Sequence, residues 1–398
     1  MSTVTPSVSE GPGGAGGATR QPTRATHPAR PLAHARGDKA LRFHWMLPKA
    51  FEVQRDGAQT PREAARYRIE STKIESPSPR PDMDGWLHFA KHAEDAGIES
   101  VLISFSRYEP EPFLVACAMG QETARLKYIV AYRSGLMGPT SFVQQINTLS
   151  ALIDGRVAIN IVAGSSAAEQ RGYGDFLPHD ERYDRAEEFL GAANAFWRNG
   201  QEVDFDGRYY HLEKGKLHTP FIAPDRRAPE IYVSGHSEQS MRLAATQGTC
   251  WLRAADTPEK LRPSVARMRA LGTDVCLRAC VICRPTRDEA IRVAQSLLPD
   301  DRTESTIALK NDSRMHEESR AADEWLSRTL WGGLVPHYGP VWTTLIGTPD
   351  ELADALLAYK EIGVDQFILS GWPEVDEISI FGSEVVPRVR DAERRQVA

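Results

Sequence analysis

The chain alternates short apolar runs with longer segments in which apolar residues recur at helical spacing. Eight runs have the length and composition of buried strands. They are LRFHWML (41–47), ESVLISF (99–105), LKYIVAY (126–132), RVAINIV (156–162), EIYVSG (230–235), TCWLRA (249–254), VCLRACVIC (275–283) and DQFILSG (365–371). Helical patterns such as GWLHFAKHAEDAG (85–97) and TPDELADALLAYKEIG (348–363) separate most of them. Because nearly continuous apolar strands are typical of a parallel sheet covered on both faces, the pattern predicts an α/β fold, a TIM (β/α)8 barrel.

A doubly wound sheet is the main alternative for such a pattern. Its dinucleotide-binding form carries a GxGxxG sequence after the first strand. No such sequence follows residues 41–47, so the barrel is favoured.

Three segments lie outside a minimal barrel. Residues 201–213 alternate around Asp206-Gly207, which predicts a β-hairpin. Residues 299–345 are polar with Gly and Pro hinges, and we expect a mobile lid there. Residues 1–39 contain few large apolar side chains, so we expect a disordered tail in front of one domain spanning 40–392.

Composition narrows the possible functions. The net charge of −6 and the lack of a basic stripe argue against a nucleic-acid partner, and no apolar run is long enough to span a bilayer. Five cysteines without a framework spacing suggest a reducing, cytoplasmic compartment. Cys280 and Cys283 form a CxxC on a strand-like run without a second ligand pair, so we expect no metal site.

The segment after the fourth predicted strand carries the clearest chemistry. The run GRVAINIVAG ends in the small-residue turn Gly164-Ser165-Ser166, which presents backbone N–H groups at the strand's carboxyl end. His179 and Tyr183, one helical turn apart, add directional donors. Such an arrangement is typical of a site for a phosphate-bearing cofactor.

Several segments together resemble the bacterial-luciferase-like flavin monooxygenases, and most closely their alkanesulfonate monooxygenase branch. They are FHWMLP (43–48), DAGIESVLIS (95–104), Thr148-Leu149 to Gly155-Arg156, HDERY (179–183), VDFDGRYYHLEKGKL (203–217) and FILSGWP (367–373). The similarity runs from about residue 41 to about residue 390. It implies a TIM barrel, reduced FMN (FMNH2) supplied by a separate NAD(P)H:FMN reductase, and O2 as co-substrate.

The resemblance also implies cofactor-binding positions. The family's phosphate site corresponds to Ser234, Gly235, His236 and Ser237, where His236 replaces a serine of the relatives, and its HxxRY donors correspond to His179 and Tyr183. Asn160 lies near the end of the fourth predicted strand and is expected to contact the flavin. Phe105, Trp45 and Trp372 are expected either to wall the flavin ring or to pack in the core.

Substrate positions of the alkanesulfonate branch match less well. Its histidine after the first strand corresponds to Ala50, and its second-strand cysteine to Glu109, although the neighbouring arginine is retained as Arg107. Its Arg-x-His on the seventh strand becomes Arg278-Ala279-Cys280, and its Ser-Gly-Tyr-Pro carries Trp372. The scaffold is therefore retained while much of the polar substrate site differs.

Four residues are the candidates for catalysis: Arg278, Arg107, Glu109 and Trp372. Arginines near strand ends, among them Arg133, are costly to bury unless they meet an anion, either a carboxylate or a substrate. Glu109 has three open roles: it neutralises Arg107, binds an amine, or acts as a base.

The leading hypothesis is an FMNH2-dependent two-component monooxygenase acting on a small organic molecule, with desulfonation of an alkanesulfonate to aldehyde and sulfite as the nearest activity. The alternatives are N- or S-oxygenation in specialised metabolism, an F420-dependent oxidoreductase on the same barrel, and a non-catalytic flavin-binding protein. The resemblance further implies a homodimer or homotetramer.

Overall fold

A computed structural model of the chain describes residues 40–48, 81–107, 109–164, 167–199, 202–298, 324–338 and 340–397. The expected N-terminal tail, Ala50, Ser165 and Ser166 of the expected small-residue turn, and residues 299–323 of the expected lid lie outside these ranges.

Eight parallel strands close into a barrel, which confirms the predicted TIM fold. In chain order they are β1 (Arg42–Met46), β2 (Ser100–Ile103), β3 (Lys127–Tyr132), β4 (Val157–Ile161), β7 (Glu230–Ser234), β8 (Cys250–Ala254), β9 (Asp274–Cys283) and β12 (Gln366–Ser370). Each pairs with its neighbour in this order, and β12 pairs with β1 to close the ring. All eight predicted strands are present.

Helices lie between the strands on the outside of the barrel. They are α1 (Met83–Asp95), α2 (Pro112–Glu122), α3 (Pro139–Leu152), α4 (Ala167–Gly172), α5 (His179–Asn199), α6 (Glu238–Gln247), α7 (Pro258–Ala270), α8 (Arg287–Ser296), α9 (Val335–Tyr338), α10 (Pro349–Glu361), α11 (Glu374–Ile380) and α12 (Val386–Val397). Local sequence sets several boundaries: Thr348 caps α10, and Glu351 returns the hydrogen bond in a capping box. None of the helices in the described ranges is long and apolar enough to cross a membrane.

Alternation along the strands separates two apolar layers. Side chains such as Ile129, Ala158 and Leu252 fill the barrel interior. The alternate residues of the strands point to the outside of the barrel. Phe43 and Trp45 of β1 are examples, and both contact Phe381 there. The interior is therefore a packed core. We call the carboxyl-terminal end of the barrel, formed by the residues that follow the eight strands, the mouth; TIM barrels bind their ligands at this end.

The hairpin expected at residues 201–213 is confirmed. Strands β5 (Val203–Asp206) and β6 (His211–Gly215) pair in antiparallel fashion and form a separate two-stranded sheet.

The part of the expected lid that the structure describes is an ordered extension of the sheet. β10 (Leu330–Trp331) and β11 (Thr344–Gly347) flank α9 and a short 3-10 helix, Pro340–Trp342. β9 has ten residues: its first half pairs with β8, and its second half pairs with β11 beyond the end of β8. The sequence pattern did not indicate this extension of the sheet, because a strand of two residues such as β10 has no detectable alternation.

Candidate functional site

Cofactor-binding candidates from β4, β7 and α5 meet at the mouth. The Ser234 hydroxyl donates to Asn160 Oδ1 over 2.7 Å at the ends of two neighbouring strands. The Tyr183 hydroxyl lies 3.5 Å from the Ser234 carbonyl. The structure thus brings these three residues into one cluster.

The turn from β7 to α6 has the shape of an anion cradle. Gly235 has φ +144°, and a Cβ at this position would lie 2.7 Å from Ser240 Cβ and 2.8 Å from the Tyr183 hydroxyl. Ser237 is the N-cap of α6, and its hydroxyl accepts a hydrogen bond from the Ser240 N–H. A bare glycine backbone beside the N-terminus of a ten-residue helix suits a phosphate, so these residues fit the phosphate end of FMN.

Tyr183 enters this cluster as a neutral hydrogen-bond donor. Its side chain is buried, and burial raises the pKa of its hydroxyl. His179 packs edge-on against the Tyr183 ring with centroids 5.1 Å apart. His179 itself is half-exposed and its Nδ1 lies 2.9 Å from Asp180 Oδ1, while His236 is exposed on the turn. Both histidines therefore lie at the rim of the mouth.

Arg182, which the sequence did not single out, anchors the loop after β4. Its Nε donates to the Ala163 carbonyl (2.9 Å), and its two terminal nitrogens donate to Leu177 (2.8 Å) and Gly164 (3.2 Å). Gly164 has φ +80° and lies against the Gln170 side chain. The carbonyls of this loop thus point at Arg182, and the arginine of the HDERY sequence fixes the backbone beside Tyr183.

A second cluster lies at the ends of β2 and β3. Arg133 NH2 forms an ion pair with Glu169 Oε1 at 2.9 Å, and its guanidinium lies over the rings of Phe105 and Tyr173. The same Glu169 oxygen accepts the Arg107 N–H at 3.0 Å. Arg107 itself is exposed, so the structure places its backbone, and not a buried guanidinium, in this cluster.

Glu109 turns back onto the end of β2. Its carboxylate accepts a hydrogen bond from the Ser104 hydroxyl, and its N–H donates to the Ser106 carbonyl. The acid therefore lies at the mouth, on the β2 side.

Arg278 lies on the opposite side of β1, inside the barrel. Its guanidinium donates to the carbonyls of Ala279 (2.6 Å) and Ile368 (3.3 Å) and to the Ser370 hydroxyl (2.9 Å). Cys280 Sγ lies 3.5 Å from the same hydroxyl. The structure thus groups Arg278, Cys280 and Ser370 as a polar set at the top of β9 and β12.

Trp372 is 1% exposed and stacks on Trp342, with ring centroids 4.4 Å apart and planes 9° from parallel. The pair belongs to a second apolar cluster that also contains Trp331 and joins the sheet extension to the barrel. Trp45 packs on the outer side of the barrel against Phe381. The structure therefore places both tryptophans in core packing, the alternative that the sequence left open.

Glu377, which the sequence analysis did not single out, connects the helix after β12 to the end of β9. It is fully buried, and its carboxylate accepts the Cys283 N–H (2.6 Å) and Arg284 NH1 (2.7 Å). Burial raises its pKa to about 7. Among the residues described, no group of three or more His, Cys, Asp or Glu side chains is arranged to hold a metal ion.

A closed eight-stranded parallel barrel of this kind is a TIM barrel, and its mouth carries a glycine-lined turn whose geometry suits an anion. The model of the luciferase-like monooxygenase family matches residues 42–366, and the chain belongs to that family.

Solved structures of diverse activity share this fold. A riboflavin lyase, solved with modified FMN and riboflavin, has a TM-score of 0.67 and 21% identity, covering 90% of this chain and 93% of its own. EDTA monooxygenase from Chelativorans sp. BNC1 has a TM-score of 0.65 and 19% identity, covering 89% and 94%. An F420-dependent secondary alcohol dehydrogenase has a TM-score of 0.60 and 20% identity, covering 89% and 100%. At such identities the likeness establishes the fold alone.

Proposed function

We propose that the chain is the oxygenase of a two-component flavin monooxygenase in the cytoplasm. A separate NAD(P)H:FMN reductase supplies reduced FMN, and one oxygen atom of O2 enters a small organic substrate. The observation that carries this proposal is the Gly235 turn at the N-terminus of α6, which lies within the mouth of a luciferase-like barrel.

When bound, reduced FMN supplies the electrons that activate O2. The chain contributes binding, orientation and exclusion of water. The Gly235–Ser237 turn binds the phosphate, the Tyr183 hydroxyl donates a hydrogen bond beside it, and Arg182 holds the adjacent loop. The sheet extension carrying Trp342 covers the β9–β12 side of the mouth with apolar side chains, which excludes water there.

The substrate site lies between Arg278 and Glu109. Arg278 matches the alkanesulfonate branch, and a buried guanidinium suits an anionic group, so oxygenative desulfonation to aldehyde and sulfite is the first candidate reaction. The carboxylate of Glu109 on the β2 side suits a cationic or hydrogen-bond-donating group. It therefore favours an amine, so N-oxygenation of a specialised metabolite is the second candidate, and S-oxygenation is the alternative that the carboxylate does not itself favour.

The cofactor is tested by anaerobic titration of the protein with reduced FMN and with reduced F420, followed by admission of oxygen. We expect binding of reduced FMN and oxygen consumption that depends on it. Exclusive binding of F420 would replace the monooxygenase proposal with an F420-dependent oxidoreductase. Flavin binding without oxygenated product from any substrate would support a non-catalytic flavin-binding protein.

The substrate class is tested with matched panels of alkanesulfonates, amines and thioethers, analysed for sulfite, aldehyde and oxygenated products. Arg278→Ala should raise KM for anionic substrates about tenfold or more and leave FMN affinity unchanged, since it removes a charge-assisted contact. Arg262→Ala, an exposed position on α7, is the control. Full turnover of Arg278→Ala would remove Arg278 from the catalytic machinery.

We also propose that the chain assembles as a homodimer or as a tetramer of such pairs through α2 and α3. Glu122 is the only charged residue on these two helices, and Leu114 and Leu152 are 72% and 51% exposed. A face with a single charged residue at one end can meet its own copy across a two-fold axis with little repulsion. Light scattering should give at least twice 44.2 kDa, and Leu114→Lys should lower that mass.

A further inference from the structure

Arg133 occupies a buried position at the mouth. It follows β3 directly, and Ile129 and Ala131 of that strand point into the barrel interior, so alternation directs Arg133 inward as well. The residue is 6% exposed. Its position therefore lies above the packed core, where a bound molecule would rest.

The guanidinium is only partly satisfied by the residues that the structure describes. NH2 pairs with Glu169 at 2.9 Å, whereas Nε and NH1 are buried and have no acceptor within those ranges. The ion pair balances the charge of Arg133, but it leaves two donors without a hydrogen bond. Buried donors are nearly always paired in folded proteins, so these two indicate an acceptor that is not part of the described chain.

The surroundings of Arg133 select the kind of acceptor. Its carbon Cζ lies 4.9 Å from the centroid of the Phe105 ring and 5.7 Å from that of Tyr173. Tyr173 is 40% exposed and stands between Gly172 and Gly174, whose φ is +78°, so its ring is held by a pliable backbone. Aromatic faces beside an arginine suit a planar heterocycle with negative charge on its edge.

Reduced flavin has this chemistry. At neutral pH it is largely an anion whose charge lies on the N1–C2=O edge of a flat ring, whereas the same edge of oxidised flavin is neutral. We propose that Arg133 donates to the N1–C2=O edge of reduced flavin and thereby favours the reduced cofactor over the oxidised one. This inference rests on the proposed function and adds to it a residue that discriminates redox state, separate from the phosphate turn at Gly235.

The test compares Arg133→Met and Arg133→Lys with the wild type in anaerobic titrations with reduced and oxidised FMN and with riboflavin, which lacks the phosphate. Arg171→Met, an exposed arginine of α4, is the control for loss of one charge near the mouth. Arg133→Met should weaken reduced FMN about tenfold to a hundredfold more than oxidised FMN, as expected for a charge-assisted hydrogen bond. Each tenfold change in that ratio lowers the midpoint potential of the bound flavin by about 30 mV.

Reduced riboflavin should show the same loss as reduced FMN, because the contact is to the ring. Arg133→Lys keeps the charge and should recover part of the preference, and it keeps the test available if the methionine variant does not fold. Equal losses for the two redox states, or a loss confined to FMN, would overturn the contact. A wild type that binds FMN while Arg133→Met retains the ratio overturns this inference alone, whereas a wild type that binds neither form overturns the proposed function too.

Discussion

The two ends of the barrel both contain buried polar groups, but they use them differently. At the floor, the amino-terminal end of the strands, Arg42 pairs with Glu99 (2.7 Å) and Glu230 (2.9 Å), and Lys127 also pairs with Glu99. Just above them Gln366 Oε1 accepts from the Tyr232 hydroxyl (2.6 Å). These charges are balanced within the chain.

At the mouth the charge of Arg133 is balanced as well, but its hydrogen bonding is incomplete among the residues described. Of the three guanidinium nitrogens of Arg133, only NH2 pairs with a carboxylate, that of Glu169, while Nε and NH1 have no partner in the described part of the chain. The turn at Gly235 presents bare backbone, which the Cβ of any other residue would obstruct. Parallel barrels place stability at the amino-terminal end and ligand binding at the carboxyl-terminal end. In this chain, therefore, the charged groups of the floor pair with one another, whereas the mouth holds an arginine with two donors unpartnered within the described ranges and a turn of bare glycine backbone.

The largest effect is expected at the floor. Arg42→Met leaves Glu99 and Glu230 without their shared cation in a partly buried site, which should cost about 2–4 kcal/mol of unfolding free energy. Urea unfolding measures the loss. FMN affinity of the folded variant should equal that of the wild type, and weakened binding at unchanged stability would contradict the division between the two ends.

A pH effect of similar size should come from His44. Burial, with the nearby Arg42 charge, lowers its pKa to about 4 from the ordinary 6.5, and its Nε2 hydrogen-bonds Gln366 Oε1 at 3.0 Å. Because the unfolded chain binds this proton more readily, stability should fall as the pH decreases from 6.5 towards 4, by about 3 kcal/mol in total.

The measurement is urea unfolding across that pH range for the wild type and His44→Asn, an amide that donates but does not titrate. The difference between the two proteins isolates His44 from the carboxylates that also titrate at low pH. Parallel stability curves for the two proteins would show that His44 does not contribute.

Glycines with positive φ provide a matched pair for the two ends. Gly235→Ala places a Cβ against Ser240 and the Tyr183 hydroxyl, whereas Gly363 (φ +104°) precedes β12 at the floor, and its Cβ would meet Arg269 and Val265. Each alanine should cost about 1–2 kcal/mol in backbone strain. Only Gly235→Ala should also weaken FMN, about tenfold, since it fills the cradle.

Two arginines at opposite ends of β4 give the finest comparison. Arg182 holds backbone carbonyls after this strand, and Arg226 holds those of Gly155 (2.6 Å) and Val157 (3.3 Å) before and at its start. Lysine at either position loses the forked geometry and about 1–2 kcal/mol of stability. FMN affinity, measured by fluorescence titration, should fall several-fold for Arg182→Lys and stay unchanged for Arg226→Lys; equal affinities would remove the positioning role of Arg182.

Most of the fold could be predicted from the sequence, whereas only part of the candidate site could. Eight buried strands and the hairpin produce apolar runs and alternation that a single sequence displays. Tyr183 and Ser234 were named as cofactor-binding positions by the family resemblance, and Asn160 by its place at the end of a recognisable strand; their mutual contacts were not predicted. Partnerships across the chain were not: Glu169 meets Arg133 from 36 positions away, and nothing in local spacing encodes that contact.

Trp372 shows the same limit from the other side. Its position after β12 left a flavin wall and core packing equally open, because its stacking on Trp342 depends on the pairing of β11 with β9, which no sequence pattern indicated. Arg182 was overlooked because its partners are backbone carbonyls, which have no residue signature. Side-chain roles at the mouth thus depend on tertiary contacts, whereas the strands depend on local pattern.

The most direct test of the account is an anaerobic equilibrium titration of reduced FMN into the wild type, Gly235→Ala and Gly363→Ala. We predict one reduced FMN per chain in the wild type, the same affinity in Gly363→Ala, and about tenfold weaker binding in Gly235→Ala. Equal affinity in both glycine variants, or no binding of reduced FMN to the wild type, would contradict the assignment of the mouth as the flavin site.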